Sequence, residues 1–322
     1  MIEQCHIEST LLTSSKVNQL HRTWLTIDCD DFRHVPANQG HPTRSKGNLS
    51  NAPNVLSEQF IAGMEGFEIW MNSHNHPVTL FIIADLFESS HFSDWVSSII
   101  NHYSNRLTIG CHGLSHRSWS AWPEDYDGFK QALAEATRII KQRVGENWRP
   151  WFRAPGGYIA PWMARAISES GFTVDTSINP SWIVKKKAGK GNNWRKVRES
   201  ISKNNLIERE WLNMWSLPVN GPALSLFPLS IISKMAWKKL PLILSINQAL
   251  EAPSNPKFNL STVYWHLLDH GRDNGNWAPP IPSRIFSLEM LKFPEKEDLV
   301  ARIDKLIPIA IFFITLFIAL VA

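Results

Sequence analysis

Cysteine is scarce in this 322-residue chain: Cys5, Cys29 and Cys111 are its three, odd in number and without a CxxC pair. That excludes a disulfide scaffold and fits a reducing compartment. A strong charge of one sign is also lacking. The net charge of +4 is small for this length and argues against nucleic acid as a partner. No low-complexity tract and no internal repeat breaks the chain, which is long enough to bury a full core. Its first residues hold no long apolar run of the secretory kind, so 1–23 reads as an irregular lead-in.

Tryptophan, by contrast, is plentiful at fifteen residues; it packs cores and also stacks on sugars. One long apolar run occurs, at 306–322, free of charge and preceded by Arg302 and Lys305. As a helix it would be about 26 Å long, near the lower limit for crossing a bilayer. It reads first as a membrane anchor holding a cytoplasmic body to the inner face of the membrane. A buried core helix and an altered end are the alternatives.

Short β-rich runs recur: WLTID at 24–28, VTLFIIA at 78–84, RLTIG at 106–110, WFRA at 151–154, FTVD at 172–175, MWSLPV at 214–219 and TVYWH at 262–266. Helical spacing fills the gaps. Phe60, Met64, Phe67 and Met71 keep it, as do Phe129, Leu133, Ala136 and Ile140, with Gly145 as a stop. A further helix opens on Pro161 and closes on Gly171. Strands alternating with helices make parallel βαβ units, and seven of them suggest an α/β barrel, closed or partly open. Its site would lie at the strands' C-terminal ends. Asp28, Asp30, Asp31, His112, His116, Arg153, Asp175 and His266 all stand at or near such ends.

TIDCDDF (26–32) drives three carboxylates out of an apolar strand. Strand side chains alternate, so Asp28 and Asp30 share a face and Cys29 takes the other. Two like charges on one face repel unless one binds a cation and the other accepts a proton. A polar strand end with Asp31 as a helix cap is the plainer reading. LTIGCHGLSH (107–116) sets two histidines four apart, a spacing that suits a metal. With one aspartate they make an Asp-His-His set fit for Zn²⁺, with a position open for water. A zinc-protease motif needs Glu directly after the first histidine; Gly113 stands there, which excludes it.

In the order TIDCDD, HGLSH, RAPGGY, VDTS and YWHLLDH, the chain resembles the polysaccharide deacetylase, or NodB-homology, family from 24 to about 271. The resemblance implies a distorted (β/α)7 barrel, placed here at 24–300. It also implies a hydrolase of carbon–nitrogen bonds, removing an N-acyl group, N-acetyl first, from a sugar of a polysaccharide or glycan precursor. Asp28 is then the base, held by Arg153. Asp30, His112 and His116 are the metal ligands, and the cofactor is a divalent cation, zinc first. His266 is the general acid and Asp175 the aspartate that tunes it. Three positions depart from the family pattern. Cys29 is an insertion, which leaves both Asp30 and Asp31 open as the ligand. Gly113 replaces a hydroxyl residue. Gly156 replaces a tyrosine, so Tyr158 or a backbone N–H of the glycine turn becomes the candidate contact to substrate.

Two other functions stay open: deformylation of a lipid-linked formamido-sugar, and non-catalytic carbohydrate binding on the same fold. KKKAGKGNNWRKVR (185–198) reads as a solvated loop or as a clamp for an anionic part of the substrate. The mixed apolar and basic stretch 224–246 reads as core packing or as a membrane interface. The oligomeric state stays open.

Overall fold

A computed structural model of the chain describes residues 20–46 and 54–287. The expected anchor at 306–322 lies outside them. Seven strands form one parallel sheet: β1 (Leu20–Cys29), β2 (Val78–Ile82), β3 (Leu107–Cys111), β4 (Trp148–Phe152), β5 (Val174–Asp175), β6 (Ile207–Glu208) and, after the small hairpin of β7 (Asn213–Met214) and β8 (Leu217–Pro218), β9 (Phe258–His266). Their lateral order is β6-β5-β4-β3-β2-β1-β9. Helices α1 (Glu58–Asn72), α2 (Ser90–Tyr103), α3 (Tyr126–Val144), α4 (Pro161–Glu169) and α5 (Trp194–Lys203) connect the strands. The sheet is curled into an incomplete (β/α)7 barrel with flanking helices.

Each helix starts where the sequence offers a cap. Ser57, Ser89, Asp125 and Asn193 accept hydrogen bonds from first-turn N–H groups of α1, α2, α3 and α5. Pro161 opens α4. The apolar residues of α1 and α3 named above are buried, as their spacing predicts. Strands β2 and β3 are buried along their whole length, because a parallel sheet of this kind is covered on both faces.

The alternation in β1 divides two cores. Leu25, Ile27 and Cys29 join the cluster under the helices. Trp24 instead packs with Phe81 and Trp151 in a separate inner cluster, with ring centroids 6.0 and 5.4 Å away. Its indole N–H donates to Thr79 Oγ1 at 2.8 Å, so the buried ring leaves no polar atom unpaired. Continuing along the same face, Thr26 and then Asp28 rise from this aromatic floor toward the C-terminal end.

The edge strands β6 and β9 meet through something other than a ladder. Trp211, just past β6, bridges Thr262, and the Leu212 N–H donates to the Thr262 carbonyl at 2.8 Å. Below that point Arg209 fills the seam. Its guanidinium donates to the carbonyls of Ala252, Pro253, Asn255 and Phe258 at 2.7 to 2.9 Å.

The sixth strand is not where the pattern put it. MWSLPV folds as the β7–β8 hairpin, because Trp215 and Ser216 take positive φ values of 52° and 58° and turn the chain back on itself. The sixth sheet position goes to Ile207 and Glu208, which are too few to show a period. Among the described residues, no helix is long and apolar enough to cross a membrane.

Replacing Arg209 by Met should orphan four buried or half-buried carbonyls at once and cost about 3 kcal/mol or more. Urea unfolding measures it. An unchanged midpoint would show that the seam holds without the guanidinium.

Candidate active site

The C-terminal ends of β1, β3, β4 and β9 bring four of the motifs together. Asp28 and His266 are register partners across β1 and β9. Arg153, just past β4, is fully buried and donates to Asp28 Oδ1 at 2.5 Å, to Thr26 Oγ1 at 2.9 Å and to the Thr176 carbonyl at 3.1 Å. Its guanidinium carbon lies 4.2 Å from the centre of the Phe81 ring, so the charge is held on an aromatic face as well as by a carboxylate. Asp28 is therefore fixed on one oxygen, while Oδ2 points toward His112 Nε2, 3.9 Å away.

Asp30 lies between the histidines. Oδ1 is 3.3 Å from His112 Nε2, and Oδ2 is 3.4 Å from His116 Nε2. His112 Nδ1 is 2.8 Å from the Arg153 carbonyl. A carbonyl only accepts, so the proton sits on Nδ1 and the Nε2 lone pair faces Asp30. Burial acts to raise the Asp30 carboxyl, but the imidazoles of His116 and His112 outweigh it and hold Asp30 well below the usual carboxylate range. Asp30 Oδ1, His112 Nε2 and His116 Nε2 are buried without a hydrogen-bond partner. One atom from each of the three residues falls within 4.8 Å of the others. Unpaired buried acceptors are costly, and a cation between them would satisfy all three. The residues fit a divalent metal.

Asp31 is committed elsewhere. Its carboxylate accepts from the N–H groups of Phe32 and Ser57 and from the Ser57 hydroxyl. It caps a short turn and ties it to the start of α1, away from the histidines. Cys29 lies in the outer core. Gly113 has φ +96°, and a Cβ there would meet Ser115 O at 3.2 Å and Pro155 at 3.3 Å. The loop between the histidines is thus shaped by glycine, not braced by a hydroxyl. Gly156 has φ +58°, with Tyr158 packed against it. The Tyr158 hydroxyl is 3.4 Å from Arg44.

The contacts of Asp175 lie with other residues than His266. Asp175 accepts from the Ser177 hydroxyl and N–H at 2.7 and 3.2 Å and pairs with Glu208. Burial raises Asp175 and pushes Glu208 higher, with the Asp175 charge adding to it, so Glu208 is the protonated member. The carboxylate facing His266 is Asp269, with Oδ2 3.7 Å from Nδ1. Asp269 also accepts from the His266 N–H at 2.9 Å and is gripped by Arg272 at 2.6 Å. Burial disfavours the imidazolium, yet Asp269 first, and then Asp30 and Asp28, raise the His266 pKa to about 9. The signal was present in YWHLLDH: an i, i+3 His–Asp pair meets whenever a 3₁₀ turn follows the strand.

A scan of family models matches residues 68–174 to the family described as polysaccharide deacetylase. Over that third of the chain the resemblance is to polysaccharide deacetylases. The matched span takes in His112, His116 and Arg153; Asp28, Asp30, Asp175 and His266 lie outside it. Among solved structures, the chain is similar to the "putative polysaccharide deacetylase from Mycobacterium smegmatis", at 16% identity over 80% of each chain with a TM-score of 0.45. It is also similar to the 4-alpha-glucanotransferase from Thermococcus litoralis, at 12% identity and a TM-score of 0.37, over 76% of this chain and 39% of that one. No curated protein sequence matches. The match supports a deacetylase activity in general terms.

Asp269→Asn should bring the His266 pKa down from about 9 toward its ordinary value in the metal-free protein, since burial is then less opposed. NMR titration of the ring measures it. A midpoint that stays put would assign the shift to Asp30 and Asp28.

Proposed function

We propose that the chain is a metal-dependent N-deacylase acting on a sugar of a polysaccharide or glycan precursor, with N-acetyl as the first-choice acyl group. The observation that carries this reading is the convergence of three orphaned acceptors, from Asp30, His112 and His116, beside a separate carboxylate clamped by Arg153. A divalent cation, zinc first for such a ligand set, supplies Lewis-acid polarisation of the acyl oxygen and a lowered pKa for water. Asp28 takes the proton of the attacking water on Oδ2, the oxygen Arg153 leaves free. Arg153 keeps that carboxylate charged and aimed. As the C–N bond breaks, His266 gives its proton to the leaving nitrogen, and Asp269 keeps the imidazole charged until then. The products are a carboxylate and a free amine. Asp269 takes the positioning role first expected of Asp175. Deformylation of a formamido-sugar would use the same residues. A purely sugar-binding role leaves the Arg153–Asp28 clamp and the charged His266 without a task.

His112→Ala and His116→Ala should each lose bound metal, read by elemental analysis. Asp28→Asn should keep the metal and lose about 10² to 10⁴ in turnover, because an amide cannot take the proton. Asp30→Asn should weaken metal binding, whereas Asp31→Asn should lower stability with the metal retained. Metal lost with Asp31 and kept with Asp30 would reverse the assignment.

We further propose that this enzyme works at the surface of an anionic membrane, from the cytoplasmic side. Supporting this are exposed apolar side chains on and around the β7–β8 hairpin and the helix after it: Trp182, Trp215, Leu226, Phe227 and Ile231, with Phe227 77% exposed. The Trp182 N–H donates to Ser216 O at 3.1 Å, and α6 (Leu229–Trp237) packs on the hairpin. Exposed Lys185, Lys186, Lys234 and Lys238 accompany them, and the sequence from Trp211 to Leu250 contains no Asp or Glu. Amphipathic surfaces of this composition settle in the headgroup region. With 306–322 deleted, the protein should still float with vesicles containing phosphatidylglycerol, and Trp215→Ser with Phe227→Ser should weaken that binding about tenfold or more. Equal binding by the double variant would remove the surface from this reading.

A further inference from the structure

Next to the Asp30, His112 and His116 group lies a second cluster that the proposed reaction does not use. Lys187 donates to the Gly156 carbonyl at 2.6 Å, and its ammonium is 5.1 Å from the centre of the Tyr158 ring. Arg44 approaches the Tyr158 hydroxyl at 3.4 Å, and the His41 ring packs edge-on to the Tyr158 ring at 5.4 Å. The loop that carries His41 and Arg44 is pinned to the metal loop. Gly40 presses so closely on the His116 carbonyl that a Cβ would overlap it, and its own carbonyl accepts from the Ser118 N–H at 2.9 Å and the Trp122 indole at 3.0 Å. On the other side, a Cβ at Gly156 would lie 3.8 Å from His116 Cε1. The cluster is therefore a near neighbour of the metal ligands.

Its charge is uncompensated. Among the described residues, neither the exposed Arg44 nor the half-buried Lys187 has a carboxylate within ion-pair distance, whereas Arg33, Arg153 and Arg272 each do. Burial, and then the Arg44 charge, lower the Lys187 ammonium to about 8. The same two cations depress His41, after burial. Two cations and a phenol gathered without an anion are the donor set of an oxyanion site.

We propose that Arg44 and Lys187, with the Tyr158 hydroxyl and His41, form a subsite for an oxyanion of the substrate, a carboxylate or a phosphate borne close to the acylated nitrogen. This rests on the deacylase reading and narrows it to acidic glycans or sugar phosphates. It also gives Gly156 a purpose, since any side chain there would be strained at φ +58° and would stand between the two sites.

The test uses the full-length, zinc-loaded protein and three acetylated probes: a neutral N-acetylglucosamine oligomer, an oligomer alternating N-acetylglucosamine with glucuronate, and N-acetylglucosamine 1-phosphate. Wild type should prefer one or both anionic probes in kcat/KM, and the preferred one tells carboxylate from phosphate. Arg44→Met and Lys187→Met should each cut the anionic-to-neutral preference about tenfold, and Lys141→Met, which removes an exposed charge from α3, should leave the preference intact. Inorganic phosphate and glucuronate binding, followed by calorimetry, should weaken in parallel. A preference equal in wild type and the Arg44→Met, Lys187→Met double variant, with metal content and circular dichroism unchanged, would overturn the subsite. If no probe is hydrolysed, the deacylase reading fails by itself; phosphate or glucuronate binding lost in the double variant would still support the subsite, and no binding to wild type would overturn it.

Discussion

The contact between Arg153 and Asp28 is the constraint around which the molecule is organised. A guanidinium with no solvent exposure sits inside the barrel, and one carboxylate oxygen meets it at 2.5 Å. Burying such a charge is tolerable only when every donor is used. The Thr26 hydroxyl, which itself donates to the Val263 carbonyl, and the carbonyl of Thr176 take up others. Four strand ends, those of β1, β4, β5 and β9, thereby share one polar knot above an aromatic floor. The same arginine's carbonyl sets the tautomer of His112. What holds the barrel together at this level also aims the groups that would act.

That knot explains how two neighbouring aspartates on one face come to differ. Asp28 is neutralised by a permanent cation, whereas Asp30 faces imidazoles that a metal would require in neutral form. Asp31, next in sequence, has its carboxylate spent on the Ser57 hydroxyl and on two N–H groups. Three neighbouring acids thus have three environments, and among them Asp30 holds a buried oxygen, Oδ1, without a hydrogen-bond partner.

Much of this was readable before any coordinates. The alternation in TIDCDD put Asp28 and Asp30 on one face because a strand leaves no other choice, and the helical spacing of Phe60 to Met71 marked α1 for the same kind of reason. What could not be read depends on contacts distant in sequence or on very short elements. β6 is two residues long, and no periodicity exists at that length. The hairpin at Met214 mimicked a strand because nothing in its composition announces positive φ at a tryptophan. The pairing of Asp269 with His266 depends on a 3₁₀ turn following β9, which the spacing in YWHLLDH allows but does not require. Lys187 hid in a basic run whose other lysines face solvent, and only the fold singles it out.

The longest ladder of the sheet runs between β1 and β9, pairing Leu20 with Phe258 and ending at Asp28 with His266. Its partners, such as Thr26 and Tyr264, stand 264 − 26 = 238 positions apart. During synthesis at about 5 to 20 residues per second, the first strand must wait roughly 10 to 50 s for its neighbour to be made. Until then one edge of β1 is open, with Trp24 and Leu25 beside it, and such edges recruit foreign strands. Pairings this remote are slow to close in any case. Asp28 and His266 therefore meet only when the last described strand arrives, so the proposed site closes late and the nascent chain carries an open edge until then.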